Sequence, residues 1–283
     1  MMKPEVTMER SRKVMGVALR SSIMAGAAAI AVLLSGCSVL GGVVGKATDT
    51  AVAAAMEPTI QQAQFNMVYG QVFYLGGFGL DYGNAKVGQL LEWRMDATDK
   101  DGKTDTLWAD RALLRQEADG SQWWYLAYRT NQDNLEYAVK LDSDYNPLLL
   151  RFKNKETGQI QELKYDKAEA KKGEQQMQQQ QSGSTAPASE RSTNVVTDQS
   201  AYAQFKKGTD TITVGAGTFT CDKLQNVYTD PNDSTNRVSY TWWVSQDLPG
   251  LVKYDWENLK DNTSVKGELS KRQDGFSTPL LAQ

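Results

Sequence analysis

The sequence contains no histidine and only two cysteines. Without an imidazole, Ser-His-Asp and Cys-His catalysis are excluded, and so is the usual general base near neutral pH. No glycine-rich loop follows a predicted strand and opens a helix, so Gly76, Gly77 and Gly79 indicate a bend rather than a phosphate cradle. The sequence therefore predicts a non-enzymatic protein, with no cofactor and no metal site.

Two further features could have suggested chemistry. Asp99, Asp101 and Asp105 alternate like calcium ligands, but the segment lacks the closing glutamate and the glycine placement of a calcium loop. A charged hairpin turn is the favoured interpretation. Cys221 lies in a predicted strand with no cationic cluster nearby to lower the pKa of its thiol, so we expect a small buried hydrophobic residue rather than a nucleophile.

The N-terminus has the layout of a bacterial signal peptide. Basic residues precede an uncharged run over residues 21–36, which is too short to span a bilayer stably. The run ends on Leu34-Ser35-Gly36-Cys37, which resembles the lipobox of bacterial lipoproteins. The resemblance implies cleavage after residues 1–36 and a lipid, such as palmitate, on Cys37. Met8 and Met15 remain alternative starts.

The same resemblance has consequences for location. Ser38 follows the cysteine, and in Gram-negative lipoproteins a residue other than aspartate there usually implies passage to the outer membrane. We therefore expect a membrane-anchored protein of the outer membrane, on its periplasmic face. The mature chain would carry a net charge of −6, from 26 basic and 32 acidic residues, which argues against nucleic acid as a partner.

Residues 37–166 divide into a lipidated tether and a first folded region. Glycine and valine dominate residues 37–46, which predicts a short flexible tether. Apolar residues at i, i+4 and i+8 over residues 47–64 predict a helix that is interrupted near Pro58 and packs on the domain. The period then changes to two, and hairpin turns such as Asp119-Gly120 separate the segments. Residues 47–166 therefore read as a helix followed by an antiparallel meander.

Composition changes abruptly after this meander. Residues 167–196 contain a glutamine run followed by serine, glycine, threonine, alanine and proline, with almost nothing apolar to bury. Such a segment cannot offset its ordering entropy, which predicts a disordered insertion, although a glutamine run can also be an interaction tract. Alternating segments resume in residues 197–283, with a loop expected at 229–236. The fold class is therefore mainly β: a curved antiparallel sheet, or half-barrel, of about ten strands.

Aromatic residues are concentrated on the predicted strands. Trp123-Trp124 and Trp242-Trp243 are adjacent pairs, and adjacent residues on a strand point to opposite faces. Aromatic surface therefore lies on both sides of the sheet at both places. One face would be covered by the helix and the other would line a groove, which makes these four tryptophans the candidate ligand-binding residues.

A resemblance supports the half-barrel. The stretch 211–219, followed by Tyr240-Thr241-Trp242-Trp243-Val244-Ser245 and by residues 248–253, resembles the C-terminal strands of the periplasmic lipoprotein-carrier and lipid-binding lipoprotein superfamily. The resemblance implies a curved antiparallel sheet that clasps an apolar ligand. The chain departs from the pattern at Val214-Gly215-Ala216, where a proline-containing turn is more usual, and in its glutamine-rich insertion.

Two functions remain open at this point. The first is a lipoprotein whose sheet binds or shields a lipid or other apolar group. The second is a structural or assembly lipoprotein that docks on an envelope protein complex. An apolar cavity inside the sheet would favour the first, and an exposed aromatic patch on a filled sheet would favour the second.

Overall fold

The computed structural model describes residues 50–73, 85–131, 133–172, 203–230, 233–245, 247–249 and 251–281. The predictions made for the signal peptide, for Cys37, for the tether and for residues 173–196 lie outside this part of the chain. In the first helix, side chains are described from residue 58 onward. The part of the predicted apolar stripe that precedes residue 58 is therefore outside the described side chains as well.

The protein is mainly β, with eleven antiparallel strands in one open, curled sheet. The strands are β1 Leu90–Thr98, β2 Thr104–Gln116, β3 Gln122–Arg129, β4 Asn134–Leu141, β5 Pro147–Lys153, β6 Ile160–Lys164, β7 Lys206–Val214, β8 Gly217–Asp230, β9 Asp233–Val244, β10 Leu251–Asn258 and β11 Ser264–Gln273. The predicted fold class is therefore confirmed, and the count of about ten strands is close to the observed eleven.

The spatial order of the strands is β6-β5-β4-β3-β2-β1-β11-β10-β9-β8-β7. Sequence neighbours are therefore spatial neighbours everywhere except at the centre, where β1 pairs with β11 from Leu90↔Gln273 to Thr98↔Ser264. Strands β6 and β7 form the two edges, and the chain between residues 172 and 203 joins one edge to the other.

Short turns connect the strands because the sequence supplies residues suited to them. Asp99 Oδ1 accepts hydrogen bonds from the backbone N–H groups of Asp101 and Lys103, each at 2.9 Å, which closes the β1–β2 turn. Gly102 and Gly120 occupy left-handed positions, with φ of 79° and 84°, where side chains with a Cβ are strained. The charged turn at residues 99–105 is thus an Asp-capped hairpin.

One face of the sheet, called the inner face here, carries the main hydrophobic core. Inner-facing residues alternate with polar ones along β1, where Trp93, Met95 and Ala97 are at most 2% exposed. Register places Trp93 opposite Ala109 on β2 and Leu269 on β11. The alternating pattern therefore continues from strand to strand and gives one continuous apolar surface.

Helix α1 spans Thr50–Val68 and continues into a π-helical turn, Tyr69–Phe73. The predicted interruption near Pro58 is wrong, because α1 runs through Pro58 without a break. Proline removes one backbone donor, but the side chain at this position is exposed, so its ring meets no neighbouring element. The helix packs on the sheet as expected.

A second helix, α2, occupies residues 167–172 and lies inside the range predicted to be disordered. Asp166 caps it, since its Oδ1 accepts a hydrogen bond from the Ala168 N–H at 2.8 Å, and Ala170 is fully buried. The expectation of disorder is therefore wrong for these six residues. Composition over a long window could not detect one capped turn with a single buried alanine.

The predicted loop at residues 229–236 is mostly strand. β8 ends at Asp230 and β9 begins at Asp233, and Thr229 pairs with Arg237. Polar residues predict a loop by composition, but here they extend a two-stranded hairpin, and Lys260 holds its end through a 2.6 Å ion pair with Asp233. At the opposite end of β8, Ala216 donates a backbone hydrogen bond to Leu269 O at 3.0 Å.

The outer face carries a second, smaller core. Trp123, Tyr125 and Leu90 lie there with Leu280, which belongs to the C-terminal 3-10 turn Pro279–Leu281. Phe276 packs on Tyr125 with ring centroids 4.9 Å apart, and its N–H donates to Gly88 O. The C-terminal segment therefore covers the outer face of the first meander.

Candidate functional site

The inner face is filled with large side chains. Trp93, Trp124 and Tyr137 are each 1% exposed, and Tyr254 and Trp256 are 4% and 2% exposed. Their burial raises the pKa of the Tyr137 and Tyr254 hydroxyls above the ordinary range, so both stay neutral. The inner face can therefore bind an apolar group only where one of these side chains, or a segment above them, moves.

Residues 59–73 of α1 and the π-helical turn cover one half of the inner face, and are called the cover here. Phe65 packs edge-on against Tyr137 at 5.5 Å, and Phe73 packs edge-on against Trp124 at 5.3 Å between ring centroids. Such pairs add about 0.5–1.5 kcal/mol beyond their burial. The buried side of the cover also includes Gln62, only 3% exposed.

Hydrogen bonds attach the rim of the cover to segments that border the sheet: the β4–β5 turn, the end of β6 and α2. The Tyr165 hydroxyl donates to Asn66 Oδ1 at 2.6 Å, and the Tyr69 hydroxyl donates to the Tyr145 carbonyl. Thr59 Oγ1 donates to Glu169 Oε2 at 3.2 Å. The cover is thus attached by polar contacts around an aromatic centre.

Arg111 lies at an inner position of β2 opposite Leu91, and it is 1% exposed. Its guanidinium lies 5.0 Å from the Trp93 ring centroid, donates to Phe73 O at 2.7 Å and donates to Pro249 O. Phe73 belongs to the cover, and Pro249 belongs to the loop between β9 and β10. Arg111 therefore ties two covering segments to the sheet, and its signal in the sequence is a charge at an apolar position of the period-two pattern.

The four predicted tryptophans do not form one site. By register, Trp124 and Trp242 point to the inner face, whereas Trp123 and Trp243 point to the outer face. Trp243 nevertheless also contacts the main core. The inference that each adjacent pair points to opposite faces is confirmed by the register, in which Trp242 faces Tyr254 and Trp243 faces Lys253.

We expected one ring of this tryptophan pair to pack under the helix. Trp243 is not that ring. It lies between two lysines on the outer face, with Lys253 Nζ 4.9 Å and Lys223 Nζ 5.5 Å from the ring centroid. Its Nε1 donates to Asp210 Oδ2 at 3.1 Å. The helix lies on the inner face instead, because its apolar side chains meet the inner-facing residues of β2 and β3.

A charged cluster missed by the sequence analysis lies on the outer face. Arg129 donates to Glu92 Oε2 at 2.6 Å and to Asp110 Oδ1 at 2.9 Å. Burial raises the pKa of Asp110 to about 6, against the lowering effect of its bond to Arg129, and Glu92 and Glu136 add to the rise. Nothing in a single sequence shows that three strands bring these side chains together.

The surface of the described residues includes two open clefts that matter for the site. One, of about 320 Å³, lies beside this cluster and is lined by Trp108, Arg129 and the turn that follows β3. The other, of about 430 Å³, lies where β7 begins beside β8 and is lined by Gln204, Phe205, Lys207, Gln225, Asn226 and Val227. Both clefts have polar and apolar walls.

The remaining candidates are Cys221 and the acidic residues. Cys221 is 1% exposed, and burial raises the pKa of its thiol to about 11, so it is an unreactive buried residue as expected. The described residues contain no group of three or more cysteines, aspartates or glutamates that could hold a metal ion. Within the same part of the chain, no helix is long and apolar enough to cross a membrane.

Comparison with known proteins finds distant similarity in solved structures alone. No family model and no curated protein matches the chain. A candidate exported protein from Bacteroides fragilis with a YmcC-like fold is 12% identical, with a TM-score of 0.30, over 67% of this chain and 97% of that one. The MucA/MucB complex of Pseudomonas aeruginosa is matched at 11% identity and a TM-score of 0.34.

In that second match, 77% of this chain spans only 58% of the other. A candidate outer membrane lipoprotein-sorting protein domain from Vibrio parahaemolyticus is matched at 7% identity and a TM-score of 0.19, over 79% of this chain and 94% of that one. Similarity at this level assigns neither a family nor a function, so the function is argued from the residues.

Proposed function

We propose that this protein is a non-enzymatic lipoprotein of the bacterial envelope, anchored through Cys37, that binds or shields a lipid or other apolar group on the inner face of its sheet. The observation that carries the proposal is the cover: an aromatic centre, Phe65 and Phe73, held over Trp124 and Tyr137 by a rim of hydrogen bonds.

The cover is suited to reversible displacement. Phe65 and Phe73 occupy the apolar space above Tyr137 and Trp124, so an acyl chain in that space would replace apolar contacts with apolar contacts. A net hydrogen bond contributes only about 0.5–1.5 kcal/mol, and its groups can bond to water when the rim opens. A ligand therefore needs only a modest difference in affinity between the closed and open states to shift their populations.

The composition of the cover supports the same conclusion. Gln62 and Gln64 are 3% and 6% exposed, although glutamine side chains are mostly exposed in folded proteins. Gln62 Oε1 accepts the backbone N–H of Asp166, which ties the cover to the start of α2. When the cover is displaced, these amide groups can hydrogen-bond to water instead.

A fluorescent fatty acid tests the proposal on the Cys37→Ser protein, which lacks the anchor. Tyr69→Phe and Tyr165→Phe each remove one rim hydrogen bond without changing the apolar surface. We expect the double variant to take up dansyl-undecanoic acid faster and more tightly than the parent. Native mass spectrometry of the purified parent should detect co-purified lipid.

Tyr125→Phe is the matched control, because it removes a buried tyrosine hydroxyl from the outer face. It should leave uptake of the fatty acid unchanged. If neither the parent nor the double variant binds the probe, and no lipid co-purifies, the inner face is only a core and the proposal is wrong.

Docking on an envelope protein is the second candidate, and the filled inner face favours it. On this alternative, the binding surface would be an exposed part of the sheet rather than its inner face. Aromatic residues are absent from the exposed large hydrophobic residues of the described chain, which are Val87, Leu148, Ile160, Val227 and Leu259. A docking surface would therefore have to use backbone groups as well as side chains.

A further inference from the structure

Within the described part of the chain, the last six residues of strand β8 have a neighbouring strand on one side only. β8 spans fourteen residues, but β7 pairs only with its residues 217–224, from Val214↔Gly217 to Lys206↔Leu224. β9 continues to pair on the other side, from Gln225↔Thr241 to Asp230↔Asp233. Among the described residues, therefore, 225–230 leave one row of backbone N–H and C=O groups without a neighbouring strand, and such a row is a template for another strand.

A cleft follows this open edge. Gln225, Asn226 and Val227 all line it, although successive side chains of a strand point to opposite faces. The cleft, of about 430 Å³, therefore lies along the backbone of β8 rather than on one face of the sheet. Its far wall comes from the start of β7, with the half-buried ring of Phe205 and the side chain of Lys207.

The other two edges are protected in ways that this one is not. β6 is only five residues long, and its Glu162 and Lys164 are exposed charges. The outer edge of β7 has a bulge between Lys206 and Gly208. Short strands, charges and bulges are the usual devices against added strands. Residues 225–229 carry no charge, and their pairing with β9 is regular up to Thr229.

We propose that residues 225–230 of β8 bind an extended segment of a partner protein as an added antiparallel strand, with an apolar side chain against Phe205 and Val227 and a carboxylate beside Lys207. Val227 is 43% exposed and offers the apolar contact. Lys207 is the one charged residue among the six that line the cleft, so a segment with a carboxylate is complementary to it.

Backbone hydrogen bonds supply affinity in this mode of recognition, and alternate side chains supply specificity. The site lies at a sheet edge and uses no residue of the cover, so it goes beyond the proposed binding of an apolar group and does not depend on it. The β8 edge can therefore bind or release a peptide segment while the cover stays closed over the inner face.

A panel of acetylated, amidated octapeptides tests the inference with the Cys37→Ser protein. Each peptide alternates valine with threonine and carries one glutamate, whose position varies across the panel. We expect at least one peptide of the panel to bind. Fluorescence anisotropy of the peptide measures the binding. N-methylation of alternate backbone amides should weaken that peptide by about tenfold or more, because a methylated amide cannot donate a hydrogen bond.

Lys207→Glu should weaken the same peptide by about tenfold, the size of one lost charge-assisted contact. Lys164→Glu on β6 is the matched control and should leave binding unchanged, since Lys164 is an exposed edge-strand lysine far along the sheet order. Hydrogen exchange should show protection of residues 225–230 when the peptide is bound. Uptake of the fatty acid probe should be unaffected by Lys207→Glu, which separates this site from the inner face.

Three results would overturn the inference. They are the absence of binding across the whole panel, equal binding of the N-methylated peptide, and protection outside residues 225–230. Light scattering gives a fourth: a concentration-dependent dimer that Val227→Lys abolishes would mean that the edge pairs with a second copy of this chain. In that case the proposed partner segment is the wrong occupant.

Discussion

Residue 267 on strand β11 is a glycine, and because it has no side chain an aromatic ring can pass over the strand at this position. The Tyr254 ring lies over Gly267 from β10 and reaches Met95 on β1, with its hydroxyl 3.9 Å from the sulfur. A Cβ at 267 would stand 2.6 Å from Tyr254 Cε1 and 3.2 Å from Met95 Cγ. The glycine is therefore required by space in the inner core.

Gly267→Ala should lower the free energy of unfolding by about 1–3 kcal/mol, the usual penalty for overpacking a filled core. Urea denaturation measures this loss. Adding Tyr254→Leu, which removes the ring from above position 267, should make the further effect of Gly267→Ala much smaller than in the parent. Equal losses in both backgrounds would show that the clash with the ring is not the cause.

Asp110 gives a residue-scale prediction about pH. The pKa of its carboxyl is about 6 in the folded protein and about 3.8 without the fold, so the folded state binds the extra proton between these values. Its contribution is therefore fully present below about pH 4 and is lost as the pH rises through 6. The groups that face Asp110 are Arg129, Glu92 and Glu136.

Asp110→Asn removes this titration. The difference in the free energy of unfolding between variant and parent should shift in favour of the variant by about 2 kcal/mol from pH 4 to pH 7, since one pKa unit corresponds to about 1.4 kcal/mol and the unfolded carboxyl is already partly ionised at pH 4. Parallel stability curves for the two proteins across that range would contradict the raised pKa.

At the scale of elements, the C-terminal segment packs over part of the outer face. Leu280 is 5% exposed and packs with Trp123, Tyr125 and Leu90, and Phe276 packs on Tyr125. Gln89 Nε2 donates to Asp274 Oδ1 at 2.9 Å, where the segment begins. The apolar cluster around Trp123 and Tyr125 on the outer face thus depends on residues far away in the sequence.

Truncation after Asp274 should cost about 2–5 kcal/mol, from the loss of one buried leucine and one half-buried phenylalanine. It should also increase the fluorescence of an apolar dye such as ANS, since Trp123 and Tyr125 become exposed. A matched truncation that removes only residues 282–283 should change neither quantity. Unchanged stability after the longer truncation would mean that the segment is not held in place.

The period-two pattern and the turn residues were sufficient to predict the strands and the fold class. They succeeded where a strand has one polar and one apolar side, as in β1, where Trp93 and Met95 flank Arg94. The same pattern could not locate Arg111 as a buried residue that binds two covering segments. It also could not place Trp243 between two lysines, because register across strands is not encoded in any one of them.

For the whole molecule, attachment to a membrane is the first testable property. The thiol of Cys37 is the only proposed attachment point, so Cys37→Ser should leave an unprocessed or soluble protein and abolish the incorporation of labelled palmitate. Cys221→Ser is a suitable control, because that thiol is buried in the fold. Undiminished labelling of the Cys37→Ser variant would contradict the lipobox interpretation.

The order of the sheet has one more consequence. β1–β6 and β7–β11 are two runs of consecutive hairpins, and β1·β11 is the one strand pairing of the described sheet that joins them. Each run can therefore form from local contacts, whereas the seam needs the two runs to meet. Cutting the chain between residues 172 and 203 breaks none of the described strand pairings, so the halves should reassociate as separate polypeptides. The two runs of strands therefore correspond to two complementing fragments of one fold.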